Sequence, residues 1–136
     1  MEASSCSTAM KKSLAHILSG LKYLPNRTPE MVHSGGAEES FAEVAPIGDG
    51  AVYVGHYSGS SEWERHSAGD ELVLALAGST TLVLLAHGAE QRVVLNESEL
   101  VVVPAGTWHR FENSTKLKVL TVTPQPTDHR LGHPDA

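Results

Sequence analysis

From residue 41 to residue 123 the chain is a succession of short apolar runs, each closed by turn-forming residues, and few architectures accept that pattern. The runs are rich in Val, Leu, Thr and Tyr, which suit a pleated and half-buried backbone. They read as strands over 41–46, 51–57, 62–66, 71–77, 80–86, 91–95, 100–104, 108–113 and 117–123. Turn signals separate them: Asp49-Gly50, the stretch 58–61, Gly78-Ser79, His87-Gly88-Ala89 and the polar stretch 96–99. About nine short strands at this spacing predict an antiparallel sandwich or barrel. Segment 41–46 reads as an edge strand. Segment 71–77 is nearly all apolar and is expected to be buried on both faces.

One stretch, 104–113, carries more information than the rest. An apolar strand ends at Pro104, which cannot donate to a ladder. Pro104-Ala105-Gly106 then supplies a fixed φ followed by a permissive one, as a tight turn requires. The chain re-enters a strand with His109 and Phe111 on one face and Trp108, Arg110 and Glu112 on the other. A histidine one step past a rigid turn is well held, which suits a metal ligand. Upstream, Glu64 and His66 are two apart and share a strand face. A polar turn follows, and Glu71 opens the next strand. Two antiparallel strands joined this way point Glu64, His66 and Glu71 into one space.

These two stretches resemble the two motifs of the cupin superfamily. The second motif has the form Gly-x5-Pro-x-Gly-x2-His-x3-Asn. The chain matches it at Pro104, Gly106, His109 and Asn113, with Ser98 where the leading glycine belongs. The first has the form Gly-x5-His-x-His-x(3,4)-Glu-x6-Gly. His66, Glu71 and Gly78 are in register, Glu64 stands at the first histidine, and Gly59 lies one place from the expected glycine. The resemblance spans residues 51–123. It implies an all-β fold, a double-stranded β-helix of the jelly-roll kind, to which the residue spacing over 13–24 adds a short N-terminal helix. It also implies a divalent metal at Glu64, His66, Glu71 and His109. A cupin usually offers three histidines and one glutamate, so Glu64 makes the site harder and more anionic. That favours Fe(II), Mn(II), Zn(II) or Ni(II) over soft Cu(I). If only one glutamate binds, the set becomes two histidines and one carboxylate with open positions. Without metal, converging carboxylates repel and at least one pKa rises; such a group serves as a general base near neutral pH. Trp108 and Phe111 are candidate walls of the pocket, and His56, on strand 51–57, is a third. Trp63 reads as a strand anchor and Asn113 as a turn-closing residue.

The functional expectation is a metal-binding cupin acting on a small molecule as an oxygenase, isomerase, lyase or cyclase. The alternative is a non-catalytic binding module or sensor for a small metabolite or sugar. No Ser/His/Asp grouping, phosphate-cradling glycine loop or zinc-finger spacing appears. At 136 residues the chain is long enough for one core. Its formal charge of −6 and the lack of a basic stripe argue against nucleic acid, and against acidic membranes. No apolar run approaches the roughly 20 residues of a membrane helix. Lys11-Lys12 followed by 13–24 faintly resembles a signal peptide, but His16, Ser19, Gly20 and Lys22 interrupt it. A lone Cys6 cannot form an internal disulfide, and the protein is expected in the cytoplasm.

The expected organisation is a flexible leader over 1–12, within which Met10 is an alternative start. A helix and connector follow over 13–39, then a barrel over 40–124 and a non-sheet tail over 125–136. Leu14, Ile17, Leu18, Leu21 and Leu24 share a helical face over 13–24, ended by Pro25. That face needs cover, and many cupins pair, so a homodimer is expected. Arg27 reads as a solvated arginine, with a reach into a barrel mouth or an interface as the alternative. His129 and His133 read as tail residues lying over a neighbouring subunit.

Overall fold

Two 16-residue strands carry the architecture seen in the computed structural model, which describes residues 8–135. Cys6 and most of the expected leader lie outside that range. The strands are β1 (Leu24–Arg27), β2 (Phe41–Ile47), β3 (Gly50–Gly59), β4 (Trp63–Arg65), β5 (Glu71–Ala86), β6 (Ala89–Leu95), β7 (Leu100–Val103), β8 (His109–Pro124) and β9 (Asp128–Arg130). Two short helices, α1 (Leu14–Ser19) and α2 (Met31–Ser34), precede the barrel.

Both long strands pass from one sheet to the other. The first half of β5 pairs with β7 and with the C-terminal half of β8, which in turn pairs with β3; β1 and β2 flank β3. The second half of β5 pairs with β6 and with the start of β8, which continues to β4 and β9. The two halves face each other as a jelly roll. The corner of β5 carries register shifts between Ala75 and Thr81. Gly78-Ser79 is therefore a bulged bend rather than the predicted hairpin turn. Gly78 has φ +73°, and a Cβ there would meet the Lys116 carbonyl at 2.2 Å. The predicted strands 108–113 and 117–123 likewise form one strand, bent where Asn113 and Lys116 take φ +53° and +45°.

The space between the sheets is filled by Tyr57, Val73, Ala75, Val103, Leu117 and Val119 from one side and Leu82, Leu84, Leu95 and Phe111 from the other. Strand 71–77 is buried on one face only: Val73 and Ala75 point inward, while Leu72 and Leu74 are half-buried outside. The β2–β3 turn is Gly48-Asp49, with Ile47 opposite Gly50, one residue earlier than the sequence suggested. The N-terminal helix is shorter than expected. Ser13 caps it, accepting from the His16 amide, and it ends at Gly20. Leu24 and Arg27 are recruited as β1 alongside the end of β3, which leaves Pro25 on an edge where it costs no ladder bond. Helix α1 packs on β2 and β3. The segment after Pro124 is not a free tail, because β9 adds to β4 of the same chain.

Candidate metal centre

Glu64 on β4 lies directly opposite His109 at the start of β8. His66 follows β4, and Glu71 opens β5. The alternation of β4 turns Glu64 and His66 inward and sends Arg65 out to an ion pair with Asp128 at 3.0 Å. All four side chains predicted from the spacing meet at one end of the barrel. Glu71 Oε1 is 2.9 Å from His109 Nε2 and 3.3 Å from His66 Nε2, and Glu64 Oε1 is 4.0 Å from His66 Nε2. Glu64, His66 and His109 each offer a donor atom within 4.8 Å of the others. His66, Glu71 and His109 are buried; Glu64 keeps 20% of its side chain exposed.

The buried atoms His66 Nε2, Glu71 Oε1 and His109 Nε2 have no hydrogen-bond partner. Their outer atoms are all engaged. His109 Nδ1 lies 2.9 Å from the Thr107 carbonyl and so donates to it, which leaves Nε2 with a lone pair in the neutral ring. Glu71 Oε2 accepts from Thr123 at 2.7 Å. Separations of 2.9 and 3.3 Å match neighbouring donors placed about 2.0–2.2 Å from a shared ion. The donor set therefore suits a divalent metal.

Charge follows from the same crowding. Burial pushes Glu71 up, but the approach of His109 and His66 outweighs it and holds the carboxyl down at about 2. Burial pushes His109 down, yet Glu71 and Glu64 carry it above its ordinary value. Glu64 rises to about 7, through burial first and then the charges of Glu62 and Glu71.

A cavity of about 330 Å³ opens on Glu64, His66 and Glu71, while His109 lies fully buried behind them. Phe111 lines this cavity. His56 and Trp108, the other two candidates, do not. Interior positions of β3 belong to Tyr53, Gly55 and Tyr57, so His56 points outward and packs on Tyr23 at 4.8 Å between ring centres. Trp108 has the opposite parity to His109, and Arg65 stacks over its ring at 4.6 Å.

Arg27, Gln125, Thr127 and His129 are among the cavity residues that the motifs do not point to. Arg27 is nearly buried, stacks over Phe41 and Tyr57, and pairs with Glu62 at 3.6 Å. Gln125, Thr127 and His129 arrive with β9. Thr127 Oγ1 lies 2.9 Å from His66 Nδ1, and His129 Nδ1 lies 2.8 Å from Glu62 Oε2. No local spacing links these residues to the motifs, since strand pairing alone brings them in. Tyr57 is wholly buried, and burial pushes its hydroxyl up to about 12 despite the nearby Arg27.

Residues 52–123, more than half of the chain, match the family model described as a cupin domain. The chain belongs to the cupin family. This cupin is 34% identical over 77 residues to an uncharacterised protein of Acanthamoeba polyphaga mimivirus, a match covering 54% of this chain and 47% of that one. It thus spans about half the length of that relative. Among solved structures, it resembles hydroquinone 1,2-dioxygenase PnpCD in complex with Cd2+ and 4-hydroxybenzonitrile, with TM-score 0.55, 20% identity and 64% of each chain covered. It also resembles a cupin-2 domain containing protein from Shewanella frigidimarina, with TM-score 0.52 and 22% identity over 63% of this cupin and 80% of that chain. An oxalate decarboxylase aligns with TM-score 0.51 and 14% identity over 58% of this cupin and 23% of that chain. At these identities the likeness establishes the fold alone. No described helix of this cupin is long and apolar enough to cross a membrane.

Proposed function

We propose that this cupin is a metal-dependent enzyme acting on a small molecule, with His66, His109 and Glu71 as ligands and Glu64 as a fourth that closes in on the ion. One observation carries the reading: the buried atoms His66 Nε2, Glu71 Oε1 and His109 Nε2 converge without a hydrogen-bond partner. Burying such a set without a cation is costly. A divalent ion bound there supplies Lewis acidity to a substrate oxygen. The chain supplies the rest. Phe111, Phe41 and Tyr57 exclude water from one side of the cavity, and Arg27 offers a cation at its edge. The reaction classes that fit are oxygenase, isomerase, lyase or cyclase; the dioxygenase and decarboxylase among its fold neighbours agree with that range.

A second reading, a non-catalytic binding module for a small metabolite or sugar, is favoured by Glu64 itself, whose charge would weaken the ion as a Lewis acid. Calorimetric titration of chelator-treated protein with Fe(II), Mn(II), Zn(II) and Ni(II) tests the metal reading. Uptake of one ion per chain, lost in His66→Ala, supports it; no uptake of any of the four refutes it. Retained ligand binding by His66→Ala would favour the binding module.

We also propose that the chain works as a homodimer in the cytoplasm. The outer face of the β3-β8-β5-β7 sheet joins Val52, Val122, Leu72 and Val102 in one row and Leu120, Leu74 and Leu100 in the next. Leu100 is 55% exposed and Val102 50%. A second copy of the same apolar face is its natural cover.

A further inference from the structure

The C-terminal segment does more than close the cavity. Beyond Pro124 the chain doubles back, and β9 sets His129 opposite Glu64. Thr127, one residue before β9, places its hydroxyl between two partners: His66 Nδ1 at 2.9 Å and Gln125 Oε1 at 3.1 Å. Gln125 places its amide nitrogen toward the Tyr53 hydroxyl and donates to it at 3.0 Å. Its oxygen therefore faces Thr127 and can only accept. The single hydroxyl proton of Thr127 goes to Gln125, and the side turned to His66 is a lone pair. In that arrangement His66 carries its proton on Nδ1, and Nε2 turns a free lone pair toward Glu71 and His109.

We propose that Thr127 is a positioning residue of the metal centre: the chain Tyr53–Gln125–Thr127 fixes the ring and tautomer of His66 so that Nε2 is free to bind the ion. The proposal rests on the metal-centre reading given above. The Thr107 carbonyl does the same for His109 from a neighbouring backbone group, whereas His66 depends on a residue 61 positions away. Outer partners of this kind orient ligands and raise their basicity, and their loss typically costs about 10–100-fold in metal affinity.

The test uses the full chain as wild type, Thr127→Val and Thr127→Ser. Long-range nitrogen–proton NMR of the His66 imidazole, on metal-free protein at pH 8, reads the tautomer. Calorimetry with Zn(II) reads affinity, and circular dichroism checks the fold. We expect wild type to hold the proton on Nδ1. Thr127→Val, nearly isosteric, should lose that preference and bind about 10–100-fold more weakly, and Thr127→Ser should recover both within about threefold. A wild-type His66 protonated on Nε2, with the hydrogen-bond chain running in reverse, would overturn the proposal whether or not Thr127→Val folds. Unchanged Zn(II) affinity in a folded Thr127→Val would also overturn it. If wild type takes up no metal, the metal-centre reading fails, and the tautomer still decides what Thr127 does.

Discussion

Glu71 and Glu64 lie in one site and titrate in opposite directions, and that opposition sets how the metal-free protein responds to pH. Glu71 is depressed from 4.5 to about 2, so its stabilising effect is present above about 4.5 and is lost as pH falls toward 2. Glu64 is raised from 4.5 to about 7, so stability is full below 4.5 and is lost as pH rises through 7. His109, raised above 6.5, has the same sign as Glu64 and loses stability as pH rises past its folded value. Metal-free protein should therefore melt at a lower temperature at pH 8 than at pH 6, and bound metal should remove that drop. Glu64→Gln should raise metal-free stability at pH 8 by about 1–2 kcal/mol and flatten the slope; calorimetric melts across pH 5–9 read both. A second residue-scale prediction concerns Ser98, which stands where the family motif has glycine and takes φ +69°. Ser98→Gly should stabilise by about 0.5–1 kcal/mol in chemical denaturation. The candidate ligands were legible at this scale because their spacing is short-range: two apart on a strand, or one step past a turn. His56 was misjudged because an isolated strand does not say which of its two faces is interior.

At the scale of elements, β5 and β8 are the members that must bend, and the bend in β5 rests on Gly78. Its positive φ and its approach to the Lys116 carbonyl leave no room for a side chain. Gly78→Ala should cost more than about 2 kcal/mol and broaden the unfolding transition, because both sheets meet at that corner. Urea denaturation followed by fluorescence and by circular dichroism measures the loss. The sequence signalled a break at Gly78 but not its sense. A hairpin turn and a bulged corner use the same residues, and only the partner strand decides between them. The C-terminal segment was illegible for a related reason. Thr127, His129 and Arg130 carry no apolar alternation, and β9 exists because the edge of β4 was open to it. Helix α1 stops at Gly20 rather than at Pro25, and Leu24 instead pairs beside Tyr57 as part of β1.

At the scale of the whole molecule, two apolar regions stand out among the described residues. One is the core between the sheets, filled mainly from β3, β5 and β8. The other is the outer face around Leu72, Leu74, Leu100 and Val102, which a monomer would leave in water. On the proposed dimer, light scattering should give twice the chain mass, and Leu100→Glu should shift the population toward monomer without lowering metal content. A wild-type monomer would remove the dimer from the account and leave the site untouched. The central claim concerns that site. The measurement that tests it most directly is elemental analysis of protein purified without a histidine tag, beside His109→Ala. The account predicts close to one divalent metal per chain in wild type and a large loss in His109→Ala. No metal in either protein, even after incubation with Fe(II), Mn(II), Zn(II) and Ni(II), would contradict it.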